Sequence, residues 1–366
     1  MFNPFRWKSA HNWTTPQPTW GTKSSDTSDT YGYKSPYVKE VDDSAVEPVI
    51  PSEIEGIKIC RYRQTKDKWQ HLPQKSLDRR ESPTDVRIIT WKISQHLSHP
   101  EDRLAVALAH IAEELGCGDA IELSCANARK PPPCVICLQE VHVRALQDEL
   151  VQNAWVRAYF CVLPHKVEKW GAGAKYGNVT LVSRDVPVEK AAILRFGVSS
   201  MKRTAVIAHL LLRAAKVREG AAEPRELRVA VINTQLESSE HGTVYRPRQL
   251  DMLAAFLKQK KDGVNGGVIV GDMNAESRAD RLMPDALGLK DAWKRGDEDE
   301  EGCTWGYNQP ASARVQFPPM RMDKMLFSPR RGLKVDEPTR IGVGVTYNGS
   351  PVSEHYGLIS TLRMLK

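Results

Sequence analysis

The stretch "GGVIVGDMNA", residues 266–275, carries an apolar run between glycines into Gly-Asp-Met-Asn. Such a short run bounded by glycines predicts a buried strand. Its tip then holds a carboxylate, Asp272, and an amide, Asn274, two residues apart. A strand end holds a side chain rigidly, and a buried carboxylate is costly unless it is paired or binds a cation. The same arrangement recurs along the chain. "IITWK" ends at Lys92 and "CVICLQE" at Glu140, while "AVINTQLES" carries Thr234, Gln235, Glu237 and Ser238. "RMDK" opens a strand at Asp323, and "SEHYG" opens the last one with Glu354 and His355. Taken singly, each has a bland explanation: Asp-x-Asn after Gly is often only a turn, and a lone histidine is more often structural. Their order, each at a strand end, carries the weight.

Working outward, the pattern from Asp85 onward is that of a two-sheet protein. "DVRIITWKI", "CVICLQEV", "GNVTLVSR", "RTAVIAHLLLR" and "ELRVAVINTQLES" alternate or run apolar, as paired strands do. "SHPEDRLAVALAHIAEELG" predicts a helix with a Ser98/Glu101 capping box, Pro100 in its first turn and Gly116 at its close. "PRQLDMLAAFLKQKK" predicts a second, with Leu250, Leu253, Ala254 and Leu257 on one face. Helices are few and strands many, which implies an α/β class with two packed sheets and helices on the outer faces. Residues 56–84 read as a short leading hairpin and linker, and 85–366 as the folded domain. Residues 1–55 read as a disordered tail, because 1–49 contain no Leu or Ile. The acidic run "GDEDEEG", 296–302, predicts a surface loop outside any phosphate-binding groove.

Composition narrows the classes. The chain has 366 residues, 27% charged, with a net charge of +7 that favours polyanionic partners in a general way. Its seven cysteines are odd in number and scattered, which argues against a disulfide framework and for a reducing compartment, nucleus or cytoplasm. Cys134 and Cys137 form a CxxC, but their odd separation on a strand points them to opposite faces, as core thiols. No apolar run is long enough to span a membrane, and a monomer is expected.

The ordered set "TWK … LQE … TQLES … GDMN … RMDK … SEHYG" resembles the endonuclease/exonuclease/phosphatase superfamily, and its Leu-Glu-Ser resembles the 5′-tyrosyl-DNA phosphodiesterase branch. "SSMKRTAV" and "CTWGYN" are similar to further motifs of that branch. The resemblance implies a four-layer α/β/β/α sandwich and a Mg²⁺- or Mn²⁺-dependent hydrolase acting on nucleic acid, in DNA repair. It implies Glu140 and Glu354 as metal ligands, Asp272 as the base, and Asn274 holding that carboxylate or a phosphate oxygen. It further implies a cationic His355 paired with Asp323, Gln235 donating to the phosphate, and Arg203, Asn178 and Lys92 near it. Three positions depart from the pattern: Lys92 stands where the family has Asn, Gln235 where it has His, and Glu354 where it has Asp. A cation about 6 Å from Mg²⁺ repels it by roughly 5 kcal/mol at an effective dielectric near 20. Alternatively, Lys92 occupies the cation's place and pairs with Glu140. Two functions follow: an active phosphodiesterase, or a silent relative that binds nucleic acid or a protein through the old cleft.

Overall fold

The computed structural model of the chain describes residues 29–31, 52–72, 82–94, 96–119, 122–123, 128–213, 225–258, 263–296, 299–307, 318–330 and 332–365. Two mixed sheets face each other. One runs in the order Asp29–Tyr31, Ser52–Gly56, Val188–Arg195, Thr204–Arg213, Glu226–Gln235, Val264–Asp272, Asp323–Phe327, Lys290–Asp291. The other runs Leu333–Val335, Gly357–Met364, Asp85–Lys92, Cys134–His142, Tyr176–Ser183, Phe160–Leu163, Cys60–Arg63, Lys68–His71. The helix Pro100–Glu114 covers the outer face of the second sheet, and Arg246–Lys258 covers that of the first. This is the expected four-layer sandwich.

Strand alternation builds the layers and also delivers the site. Val86, Ile88, Val135, Cys137, Val229, Val231, Val268, Val270 and Met325 point into the space between the sheets. Their neighbours Ile89, Trp91, Cys134, Ile136 and Leu138 point outward under Pro100–Glu114. Cys134 and Cys137 thus lie in different cores, as the odd separation requires. Side chains on one strand face repeat every second residue, so the inward rows continue to Thr90 and Lys92, to Gln139, to Asn233 and Gln235, and to Asp272. Apolar layers give way to an amide layer, and that to charged groups, at one end of the sandwich.

The amide layer ties the sheets together. Asn233 donates to the carbonyls of Leu138 (3.1 Å) and Val179 (2.9 Å) and to Thr180 Oγ1 (3.2 Å). Its side-chain oxygen accepts from Gln139 Nε2 at 2.8 Å, and Gln139 also donates to Thr90 Oγ1 at 2.9 Å. The close parallel pairing of Val264–Asp272 with Glu226–Gln235 requires Gly271: at φ +133°, a Cβ there would sit 1.8 Å from the Thr234 carbonyl oxygen.

The structure differs from the sequence expectations in three places. Ser98 makes no capping box: His99 is the N-cap in a left-handed conformation, and the Ser98 carbonyl accepts from Arg103 instead. The capping box that does form joins Ser277 and Asp280 at the unforeseen helix Arg278–Ala286. Ser52–Gly56 is a strand of the first sheet, paired between Asp29–Tyr31 and Val188–Arg195 with Ile54 buried, and Cys60–Arg63 pairs with Phe160–Leu163. The folded unit therefore takes in residues on both sides of the expected boundaries at 55 and 85. The rest of the expected tail, 1–28 and 32–51, lies outside the described residues.

Asn233→Ala should strand buried partners on both sheets. A loss of about 3 kcal/mol in denaturant-derived stability is expected; a loss below about 0.5 kcal/mol would show that the amide layer does not hold the sheets together.

Candidate active site

Where the inward rows end, six separate segments converge. Lys92 Nζ lies 3.0 Å from Asp272 Oδ2, 3.4 Å from Glu140 Oε1 and 3.2 Å from His355 Nε2. An ammonium donates and has no acceptor; it is hydrogen-bonded to Asp272 and His355 and ion-paired with Glu140. His355 Nε2 must then accept, which leaves the imidazole proton on Nδ1, facing Asp323 Oδ2 at 2.7 Å. The expected pairing of His355 with Asp323 is present, and the Lys92 ammonium stands at the other ring nitrogen. Asp323 Oδ2 also accepts from Thr304 Oγ1 at 2.7 Å, and Thr304 Oγ1 accepts the Asp323 amide at 3.0 Å.

Each acidic group is aimed by local backbone. Glu140 sits at a shift in pairing between Cys134–His142 and Tyr176–Ser183, with φ +54°. A bulge of this kind re-aims a side chain; here it turns Glu140 toward the inward rows. Asn274 has φ +45°, and its backbone N–H donates to Asp272 Oδ1 at 2.9 Å. The Asn274 side chain does not contact that carboxylate, because its amide donates to the Leu236 carbonyl at 2.9 Å. Left-handed backbone at two non-glycine residues costs about 1 kcal/mol or more at each.

Gln235 is also placed otherwise than expected. Its Nε2 donates to Glu140 Oε1 at 2.6 Å and leans on Asp272 Oδ2 at 3.4 Å, while its oxygen accepts from Arg203 Nη1. The amide is committed to the carboxylates and to Arg203. Arg203 further donates through Nη2 to Ser238 Oγ at 3.2 Å, and its buried Nε–H has no partner among the described residues. Arg203, Gln235 and Asn178 line a cleft of about 590 Å³, together with Trp170, Lys175, Tyr176 and Lys202. Asn178 donates its amide to the Thr204 carbonyl at 2.8 Å. Glu354, expected as a metal ligand, is half-buried beside His355, and no hydrogen bond or ion pair reaches it among the described residues.

Two further contributors stand in motifs that are recognised in the sequence without a role. Glu237 accepts from Ser199 Oγ (2.7 Å), from the Ser200 and Met201 amides (2.9 and 2.8 Å) and from Gln249 (3.2 Å). Burial raises its pKa, but these donors outweigh that and hold it below the ordinary range. It pins the loop that presents Arg203. Thr304 fixes Asp323 from the "CTWGYN" loop. The Leu-Glu-Ser motif pointed at Glu237 without saying what it does.

The electrostatics turn on Lys92. Burial would lower its pKa, but Asp272 and Glu140 outweigh burial and hold it well above the usual lysine value. Burial likewise would raise Asp272; Lys92 outweighs it, and the carboxyl stays well below the usual range.

This bears on whether a divalent cation fits. Among the described residues Asp272, Asp323 and His355 have ligand atoms within 4.8 Å of one another. Yet His355 and Asp323 are bonded to each other, and the Lys92 ammonium stands between His355 and Asp272. It also shares one oxygen of Glu140, Oε1, with the Gln235 amide. Mg²⁺ about 3.5 Å from an ammonium is repelled by roughly 9 kcal/mol at an effective dielectric near 20. As arranged, the donor set does not fit a divalent ion.

Lys92→Met should leave two buried carboxylates unpaired and cost about 3 to 5 kcal/mol near neutral pH. The sign with pH follows from Asp272. Its folded pKa is depressed, so its pairing stabilises above the unfolded value near pH 4 and is lost as pH falls below it. Wild type should therefore lose stability on acidification below about pH 4 more steeply than Lys92→Met. Parallel pH profiles in thermal melts would contradict this.

The sequence profile of the Endonuclease/Exonuclease/phosphatase family matches residues 95–355. Members of that family are generally dependent on a divalent metal. A 5′-tyrosyl-DNA phosphodiesterase of Caenorhabditis elegans is 26% identical over 171 residues, 45% of this chain and 42% of the relative. The match thus spans less than half of that relative's length. A crystal structure of humanized D. rerio TDP2 superposes with a TM-score of 0.56 at 17% identity, covering 77% of this chain and 100% of that one. TDP2 from C. elegans gives 0.53 at 22% identity, covering 76% and 75%. D. rerio TDP2 complexed with a single-strand DNA product gives 0.54 at 17%, covering 77% and 100%. These structures share the sandwich described above. With the profile spanning most of the chain and the six strand-end motifs meeting in one place, the chain belongs to the endonuclease/exonuclease/phosphatase family.

Proposed function

We propose that this protein is a phosphodiesterase acting on DNA, at a strand end that lies in the cleft beside Arg203. The observation that carries the reading is the meeting of Asp272, Glu140, Gln235 and the Asp323–His355 pair at one end of the sandwich. A 5′-tyrosyl-DNA adduct is the substrate this reading favours, since the C. elegans relative is a 5′-tyrosyl-DNA phosphodiesterase.

The chemistry assigned to each residue follows from its contacts. Arg203 lines the cleft and offers its guanidinium to a phosphate oxygen, a charge-assisted bond that fixes the phosphoester there. Lys175 and Lys202 line the same cleft and attract the strand, and Tyr176 and Trp170 give its bases an aromatic wall. Asp272, held by the Asn274 amide, orients the attacking water and takes its proton. His355, oriented through Nδ1 by Asp323, meets the Lys92 ammonium with Nε2 and so helps to hold the cation beside Asp272. Lys92 holds Asp272 in place but also weakens it as a base, since a lower carboxyl pKa accepts a proton less readily.

That last point favours a second reading, a family member that binds DNA and hydrolyses it slowly or not at all. The two separate in one assay. A 5′-phosphotyrosyl oligonucleotide is incubated with Mg²⁺, Mn²⁺ or EDTA, and product and binding are both measured. The first reading expects cleavage, lost by at least about a thousandfold in Asp272→Asn. Binding without cleavage under every condition leaves the second. Such a substrate would place the protein in the nucleus or cytoplasm, where its six described cysteines, all free and buried, would remain reduced.

A further inference from the structure

We infer that the Lys92 ammonium takes the structural place of a divalent ion, so that this cleft holds its phosphodiester ligand without metal and takes up none. The inference concerns the same cleft as the proposed function, and it takes from that reading only the nature of the ligand.

The geometry is that of a fixed cation with three protein ligands. Asp272, Glu140 and His355 come from three different segments and all lie within 3.4 Å of one nitrogen. Lys92 reaches them because it is the next inward residue after Val86, Ile88 and Thr90 on a strand at the centre of its sheet. Its backbone is locked there: Ser353 Oγ donates to the Lys92 carbonyl at 2.6 Å and accepts the His355 amide at 3.0 Å. The same short segment therefore positions both Lys92 and His355. The side chain is almost wholly buried, so the ammonium cannot swing into solvent and leave its place free.

Gln235 completes the substitution. Its amide hydrogens go to Glu140 and Asp272, and its oxygen receives Arg203. A histidine at 235 could not donate to two carboxylates and accept from the guanidinium at once. Lysine at 92 and glutamine at 235 thus form one polar network. Within it, Asp272 and Glu140 Oε1 are met by cationic and amide donors of the chain itself, and the Arg203 guanidinium lines the cleft where an anion would lie. A phosphodiester then binds to protein donors only.

The test measures metal uptake and ligand affinity separately, on the full chain. Mn²⁺ binding is followed by its paramagnetic resonance signal, and binding of a labelled single-stranded oligonucleotide by fluorescence anisotropy. Wild type should bind no Mn²⁺ at the cleft, and its oligonucleotide affinity should agree within about twofold in EDTA and in Mg²⁺ at matched ionic strength. Lys92→Asn with Gln235→His should take up one Mn²⁺ per chain and bind the oligonucleotide at least about tenfold more tightly with Mg²⁺ than with EDTA. Stoichiometric Mn²⁺ uptake by wild type, displaced by the oligonucleotide or lost on Glu140→Gln, would overturn the inference. So would loss of oligonucleotide binding in EDTA. Failure of the oligonucleotide to bind under any condition would instead overturn the nucleic-acid reading, and the Mn²⁺ count would still decide this one. Circular dichroism and melting of the double variant confirm that it is folded; if it is not, Lys92→Asn alone serves.

Discussion

One buried ammonium balances the functional end of this molecule. Asp272, Glu140 and Asp323 are all buried, and carboxylates gathered in one small volume repel one another unless a cation stands among them. Lys92 supplies that cation from the chain. It holds Asp272 ionised, sets the tautomer of His355 and, through Glu140, engages Gln235 and Arg203. Removing it would leave charges in an apolar setting with nothing to pair them, which is why stability and site chemistry are bound to the same residue.

The two sheets make this possible by carrying the same row rule to its end. Inward residues run from valines and isoleucines through Thr90, Gln139 and Asn233 to Lys92, Gln235 and Asp272. The amides mediate between a dry layer and a charged one. They also clamp the sheets against each other immediately below the site, so that side chains from opposite sheets are held at hydrogen-bond distance. A site assembled from both sheets depends on that clamp more than a site built on one would.

Much of this was legible in the sequence because it rests on periodicity. The strands, the two main helices and the outward and inward cysteines follow from alternation and spacing alone. The strand-end residues could be named, and the possibility that Lys92 takes the cation's place was open from its position beside Glu140. What was not legible depends on backbone conformation and on partners far along the chain. The bulge that turns Glu140 and the left-handed Asn274 leave no mark in a single sequence. Ser98 and Glu101 have the right spacing for a capping box, but the Ser98 carbonyl is claimed by Arg103, a tertiary choice. Glu354 shares a motif with His355, yet the chain directs only the histidine into the network. The strand Ser52–Gly56 escaped notice because it is short and carries little aliphatic side chain, with Ile54 alone among large residues on its buried face.

The most direct test of the account is the side-chain ¹⁵N resonance of Lys92, observed by NMR with Lys92→Arg as the assignment control. A buried ammonium held by Asp272, Glu140 and His355 should give a discrete NH₃⁺ signal that exchanges slowly with water and does not move as Mg²⁺ is titrated to millimolar concentration. A signal broadened by fast exchange, or one that shifts and saturates with added Mg²⁺, would contradict the account, because the ion would then be displacing or joining the lysine at the carboxylates.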